Sequence, residues 1–226
     1  DEETKRLGGL LDSMDMKPAQ HHGLSAMFAP SGESQDAVIE KLVRSVRYTA
    51  NMNAKVLVIH PGHVDLRLDT LEAFDAYFHE QEQKLGRREL MRLCASNLDA
   101  AGEEAARIGV KIAVENVHLF DSDRTLMRDL LAESHSPQIG FCFDSGHAHC
   151  KGGGALPWLD AFGERMFTTH LHDNRGKADE HMPPGFGTIP WIDVIQRFRK
   201  FNYRNTVNFE SGGWPGCDME EGYRHA

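Results

Sequence analysis

The sequence predicts an α/β fold of the (β/α)8 barrel kind, and three observations carry that expectation. Short apolar segments alternate with amphipathic ones along the chain. The apolar segments are rich in β-branched and aromatic residues, as strands are. Five of them end in a histidine, aspartate or glutamate. Alternating β and α implies parallel strands covered by helices. The polar strand ends then choose between two ways of winding such units. A closed barrel gathers its strand C-termini around one mouth, where enzymes of this architecture keep their chemistry, whereas an open sheet spreads them along a line.

Residues 1–14, DEETKRLGGLLDSM, read as a helix already under way at the first position. PAQHHGL (18–24) is the weakest of six strand candidates. In 36–50, Val38, Ile39, Leu42, Val43 and Val46 recur at helical spacing, with Lys41, Arg44 and Arg47 between them. AKVLVIH (54–60) opposes Leu57 and Ile59 to Val58 and His60, because side chains alternate in a strand. A second amphipathic helix over 88–108 carries Leu90, Leu93, Leu98 and Ile108, and Gly109 is its stop. VKIAVE (110–115) sets Ile112 and Val114 against Ala113 and Glu115. Residues 125–133 are a further helix.

QIGFCFD (138–144) opposes Phe141 and Phe143 to Cys142 and Asp144, and MFTTHLH (166–172) opposes Leu171 to His170 and His172. Pro190 suits the first turn of a helix over 191–201. NTVNFE (205–210) opposes Val207 and Phe209 to Thr206, Asn208 and Glu210. The apolar neighbours of the strand-ending polar residues are expected to pack on outer helices. KGGG (151–154) reads as a flexible loop rather than a phosphate cradle, since it lacks Walker spacing. Eight strands close such a barrel and six are legible. About two N-terminal βα units are therefore expected to be lacking from a chain that is otherwise one domain over 1–226.

Composition narrows the partners. The chain has 226 residues, a net charge of −9 and 40% hydrophobic residues, which fits a globular core. A domain that wraps nucleic acid is more often basic, so nucleic acid is not the expected partner, although a bound metal adds positive charge that formal counting omits. No apolar run reaches membrane-spanning length and no signal peptide is legible. Cys94, Cys142, Cys150 and Cys217 show no C-x-x-C spacing and read as reduced thiols, which points to the cytoplasm. Homo-oligomerisation stays open. Thirteen histidines are the compositional oddity.

HPG (60–62), VEN (114–116), FDSGHAH (143–149), HLHD (170–173), DEHMPPGFGTIPW (179–191) and FES (209–211), in this order, resemble the xylose isomerase-like TIM-barrel superfamily. That group holds sugar and sugar-phosphate isomerases and epimerases together with endonuclease IV-type AP endonucleases. The resemblance runs from His22 onward. It implies a metal set of Glu115, Asp144, His170 and Glu210, with Glu115 and Glu210 as the catalytic pair. Carboxylates with one imidazole suit Mn, Mg, Co, Fe or Zn, and no thiolate forces zinc.

The endonuclease IV-like pattern implies five further ligands, His22, His60, His147, Asp179 and His181, in a multinuclear zinc cluster. His22 and His60 would serve one ion, and His147, Asp179 and His181 another. The plainer alternatives are a solvated loop for Asp179 and His181 and a substrate contact for His147. His172 and Arg175 are expected to meet substrate. His63, His118 and His149 lie past strand ends and could orient ligands.

The resemblance thus implies a divalent-metal-dependent sugar or sugar-phosphate isomerase or epimerase. It would act on a small carbohydrate by proton transfer through an enediolate. The alternative is a multi-zinc phosphodiesterase. Residues 61–69 and 116–124 argue against the latter, because they are acidic where a DNA-gripping loop would present basic and wedge residues.

Overall fold

A computed structural model describes residues 1–23, 27, 34–61, 71–117 and 119–212. Helix α1 (Glu2–Ser13) leads into the short strand β1 (His21–His22), α2 (Gln35–Asn51), β2 (Val56–Ile59), α3 (Leu71–Leu85) and α4 (Arg87–Ile108). Then come β3 (Lys111–Glu115), α5 (Leu119–Ser122), α6 (Arg124–Glu133), β4 (Ile139–Asp144), α7 (Ser145–Cys150), α8 (Ala155–Phe162), β5 (Met166–His170) and α9 (Trp191–Lys200). The strand order is β1-β2-β3-β4-β5, and the registered pairs are parallel. Each strand thus neighbours its successor in sequence. That is the winding of a barrel rather than of a doubly wound sheet, whose order reverses at a switch point. Among the described residues no helix is long and apolar enough to cross a membrane.

The chain divides into two compact units. The first comprises Asp1–Val114 and Thr125–Gly140. Here α2 begins at Ser34, whose hydroxyl accepts a hydrogen bond from the Ala37 N–H (3.2 Å), and buries Val38, Leu42 and Val46. Helix α4 buries Leu90, Met91, Cys94 and Leu98, and it ends at Gly109 in the left-handed conformation (φ 75°). Asp99 on α4 accepts hydrogen bonds from the Ser134 hydroxyl and from the His135 and Ser136 N–H groups, which fixes the exit of α6. Leu57, Val58 and Ile59 of β2 are fully buried. The strand expected over 18–24 shrinks to two residues, with the His21 ring against the Thr49 hydroxyl (2.9 Å).

The second unit comprises Glu115–Arg124 and Phe141–Ala226. Its β4 segment is wholly buried. Phe141 stacks on Trp158 of α8 (centroids 6.0 Å apart, planes at 13°) and touches Phe162, while Phe143 meets Phe198 of α9 edge-on. The outward packing expected of these two phenylalanines is therefore observed. The strand expected over 205–210 is reduced to one bridge, Leu171 to Phe209. Val207 and Phe209 are exposed rather than packed on an outer helix (40% and 55%). At Asn208 the N–H donates to the Thr169 hydroxyl, so there a side chain replaces a ladder bond, while the Leu171 N–H still donates to Asn208 O and the Glu210 N–H to Leu171 O.

KGGG also departs from expectation. Gly152 O accepts from the Trp158 indole (3.1 Å), and Gly154 N–H donates to Ala148 O (2.9 Å), so the turn is pinned at both ends. Lys151 Nζ lies 3.2 Å from the buried Asp121 carboxylate.

Phe141→Ala should cost about 3–5 kcal/mol, the range for truncating a buried phenylalanine. Val207→Ala should stay within about 0.5 kcal/mol, as exposed sites do. Urea unfolding midpoints at unchanged m-value check both.

Candidate metal centre

Three strands of the sheet end in titratable side chains. Glu115 closes β3, Asp144 closes β4 and His170 closes β5, and all three are buried. Glu210 follows the Phe209 bridge and is held by its N–H donating to Leu171 O (3.0 Å). One ligand atom from each of Glu115, Asp144, His170 and Glu210 lies within 4.8 Å of every other. His170 Nδ1 sits 3.1 Å from Glu115 Oε2 and 2.9 Å from Glu210 Oε2. Burial works against charging this ring, but Cys142, Glu115 and Glu210 around it outweigh that and hold its proton far above the usual histidine range.

Asp144 is fixed from several sides. Its N–H donates to Asn116 Oδ1 (2.8 Å), and its carbonyl accepts from Asn116 Nδ2 (2.9 Å). Its Oδ1 accepts from the His147 N–H (2.7 Å), which caps α7. His172 Nε2 lies 3.0 Å from both carboxylate oxygens. His172 is fully buried, and its ring lies so close to Gly146 that any Cβ at that position would overlap it. The Ser145 hydroxyl clasps the same segment, donating to His172 O (2.7 Å) and accepting from His172 N–H (3.0 Å).

A second group forms from His147, His172, Asp179 and His181, again with ligand atoms within 4.8 Å of one another. His147 and His181 both bring Nε2 to Asp179 Oδ2, at 3.2 and 3.1 Å. The opposite nitrogens meet backbone carbonyls: His147 Nδ1 lies 3.1 Å from Asn116 O, and His181 Nδ1 lies 2.8 Å from Glu210 O. A carbonyl only accepts, so each Nδ1 carries the proton and each neutral ring turns an Nε2 lone pair toward the carboxylate. Two lone pairs against one carboxylate oxygen repel unless a proton or a cation lies between. Metal-ligating histidines are oriented in just this way, with the remote N–H on a carbonyl. The His172 and His181 rings stack, with centroids 4.0 Å apart and planes at 7°.

Protons hold this group together when no cation does. Burial opposes charging His147, but Asp144, Asp179 and Glu115 push its pKa up to about 10. The Asp179 hydrogen bond raises His181 to about 9 against the pull of burial. Burial would raise the Asp179 carboxyl, but its bonds to His147 and His181 hold it below the usual carboxylate range.

In the first unit His22 and His60 meet edge-on, with ring centroids 4.7 Å apart. Arg175, expected at substrate, is engaged by Glu180 through both its guanidinium (2.7 Å) and its N–H (2.8 Å), and Lys177 is exposed. His149 Nε2 pairs with the Thr188 hydroxyl (2.8 Å). His63, His118 and most of 61–69 lie outside the described residues. Sequence reading assigned no task to Asn116, although its place directly after the strand-ending Glu115 was the available signal.

The chain belongs to the xylose isomerase-like TIM barrel family, whose model matches residues 1–226. It is 29% identical over 175 residues to the uncharacterized protein y4fM of Sinorhizobium fredii, a match that takes in 76% of this chain and 52% of that protein. The chain thus spans about half the length of this curated relative. Among solved structures it is similar to the apo form of 3-keto-D-glucoside 4-epimerase YcjR from E. coli. The TM-score is 0.72 at 15% identity, covering 99% of this chain and 82% of that one. It is also similar to the IolI protein with a bound zinc atom, with a TM-score of 0.65 at 15% identity, covering 92% and 72%. At these identities the structural likenesses speak for the fold.

A cation entering the second group must displace protons from His147 and His181. Its uptake near neutral pH should therefore release protons, and its affinity should rise as pH climbs through about 9–10 and level off above, where both rings are neutral. Calorimetry in two buffers of different ionisation enthalpy counts the protons. Both folded-state values are raised. Their contribution to stability in the metal-free chain is accordingly full below the ordinary histidine range and lost as pH climbs through about 9–10.

Proposed function

We propose that the chain is the site-bearing part of a divalent-metal-dependent isomerase or epimerase acting on a small sugar or sugar phosphate. The observation that supports this most is the group of Glu115, Asp144, His170 and Glu210, in which two glutamates flank one histidine. These four residues would hold the ion. When bound, it would act as a Lewis acid that lowers the pKa of the C–H beside a sugar carbonyl. One glutamate carboxylate would take that proton and the other return one, with an enediolate between the two transfers. Glu210 is half-open to solvent (42%) while Glu115 is buried (2%), so Glu210 is the glutamate that substrate reaches more readily. His172, with its Nε2 on both oxygens of Asp144, would orient that ligand rather than contact sugar. The sugar epimerase among the structural neighbours agrees with this chemistry. The IolI protein's zinc agrees with a mixed oxygen and nitrogen ligand set. A cytoplasmic setting, suited to the free thiols Cys94, Cys142 and Cys150, belongs to the same proposal.

A second reading, multi-zinc phosphodiester hydrolysis, is favoured by the second ligand group and by the His22–His60 pair. Elemental analysis separates the two: three zincs per chain speak for hydrolysis, and fewer ions with the Glu115, Asp144, His170 and Glu210 group filled speak for isomerisation. Incorporation of solvent deuterium across a ketose panel, run beside a nicking assay on abasic DNA, tests each activity directly. Glu210→Gln should lower turnover by at least about a hundredfold, the low end for losing a general acid–base group, with an unchanged far-UV spectrum. Unaltered turnover in that variant would remove Glu210 from the chemistry.

A further inference from the structure

We infer that Asp173 is a positioning residue that holds Asp179 and His181 in place for a cation; this rests on reading His147, His172, Asp179 and His181 as a ligand group. Asp173 is fully buried, directly after His172. Its carboxylate accepts four hydrogen bonds. Oδ1 takes the N–H groups of Asn174 (2.8 Å) and Ile189 (3.1 Å). Oδ2 takes the Gly185 N–H (3.0 Å) and the Trp191 indole N–H (2.7 Å). Its backbone exchanges two more bonds with Met182, at 2.6 and 2.9 Å. The start, middle and end of the segment 174–191 therefore close on one residue. Asn174 extends the tie by donating to Gly146 O (2.9 Å) and accepting from the Gly176 N–H (2.9 Å) and the Thr188 N–H (2.9 Å).

The consequence falls on His181. Its φ is 49°, a left-handed conformation that a non-glycine side chain holds only where its surroundings over-determine it. Those surroundings are in view. Met182, the next residue, is clamped to Asp173; the His181 carbonyl accepts from the Gly212 N–H (3.0 Å); and its Nδ1 donates to Glu210 O. Asp173 thus fixes one side of the strained peptide, and the Glu210 carbonyl fixes the ring.

Charge matters here as well as shape. A carboxylate has acceptor capacity for all four donors, whereas an asparagine would turn an NH2 toward one pair of them, donor against donor. Nothing in this role brings Asp173 to substrate. It would act through the two ligands it places.

The test uses the full chain. Wild type, D173N and the milder W191F, which removes one donor and leaves no other unmet, are titrated with Co²⁺ and read by visible absorption, with H181A marking the second group's band. D173N should keep a cooperative melt and the first group's affinity, while Co²⁺ at the second group weakens about 10–100-fold, the usual effect of losing a group that orients metal ligands. Wild-type affinity at the second group in D173N would overturn the inference. Should D173N fail to fold, W191F decides: weakened second-site Co²⁺ supports the role of the Asp173 cradle, and unchanged affinity overturns it. Should even wild type take no second Co²⁺, the ligand reading fails on its own account. The positioning is then judged in the cation-free chain by the ring ¹⁵N shifts of His147 and His181. Shifts displaced in D173N sustain it, and shifts identical to wild type overturn it.

Discussion

Buried negative charge organises the second unit. Glu115, Asp144 and Asp173 are carboxylates almost out of contact with water, and such groups are costly unless compensated. Each is compensated differently. Asp173 is met entirely by N–H donors, so its charge is absorbed within the loop. Asp144 is divided between a helix N-terminus and an imidazole. Glu115 faces the His170 and His147 rings. Where donors of the backbone suffice, the result is scaffold. Where the compensation is a titratable ring, protons and metal ions compete for the same positions, and that competition is the raw material of a reactive site.

The backbone carries more of this arrangement than the side-chain inventory suggests. The carbonyls of Asn116 and Glu210 set the tautomers of His147 and His181. Glu210 consequently serves the first ligand group through its carboxylate and the second through its peptide oxygen. Asn116 likewise ties Asp144 with one pair of bonds while its own carbonyl orients His147. The two groups of the second unit are thus joined by shared residues.

Alternation and spacing made much of this legible. The shared facing of the strand-ending Glu115, Asp144 and His170 and the opposite facing of Phe141 followed from the two-residue period of a strand. Gly109 as a helix stop followed from its backbone freedom. Other features depended on partners that local sequence does not name. Helices α5, α7 and α8 are too short for a 3.6-residue period to declare itself. Residues 205–210 alternate as a strand should, yet Asn208 is satisfied by a threonine hydroxyl. KGGG resembles a flexible linker until Trp158, several residues downstream, is seen holding it. His172 shares its strand face with His170, but its pairing with Asp144 arises only once β4, β5 and the turn into α7 are assembled.

Asp144 has two employments, since the carboxylate that would hold an ion also caps α7. Natural selection would therefore preserve it in descendants that had abandoned the chemistry, for the sake of the helix alone. Its survival in a lineage testifies weakly to activity. Glu210, half-exposed and on an irregular segment, has less architectural reason to persist. Where the family has drifted toward silent, non-catalytic members, the erosion should begin at the glutamate and reach the aspartate last.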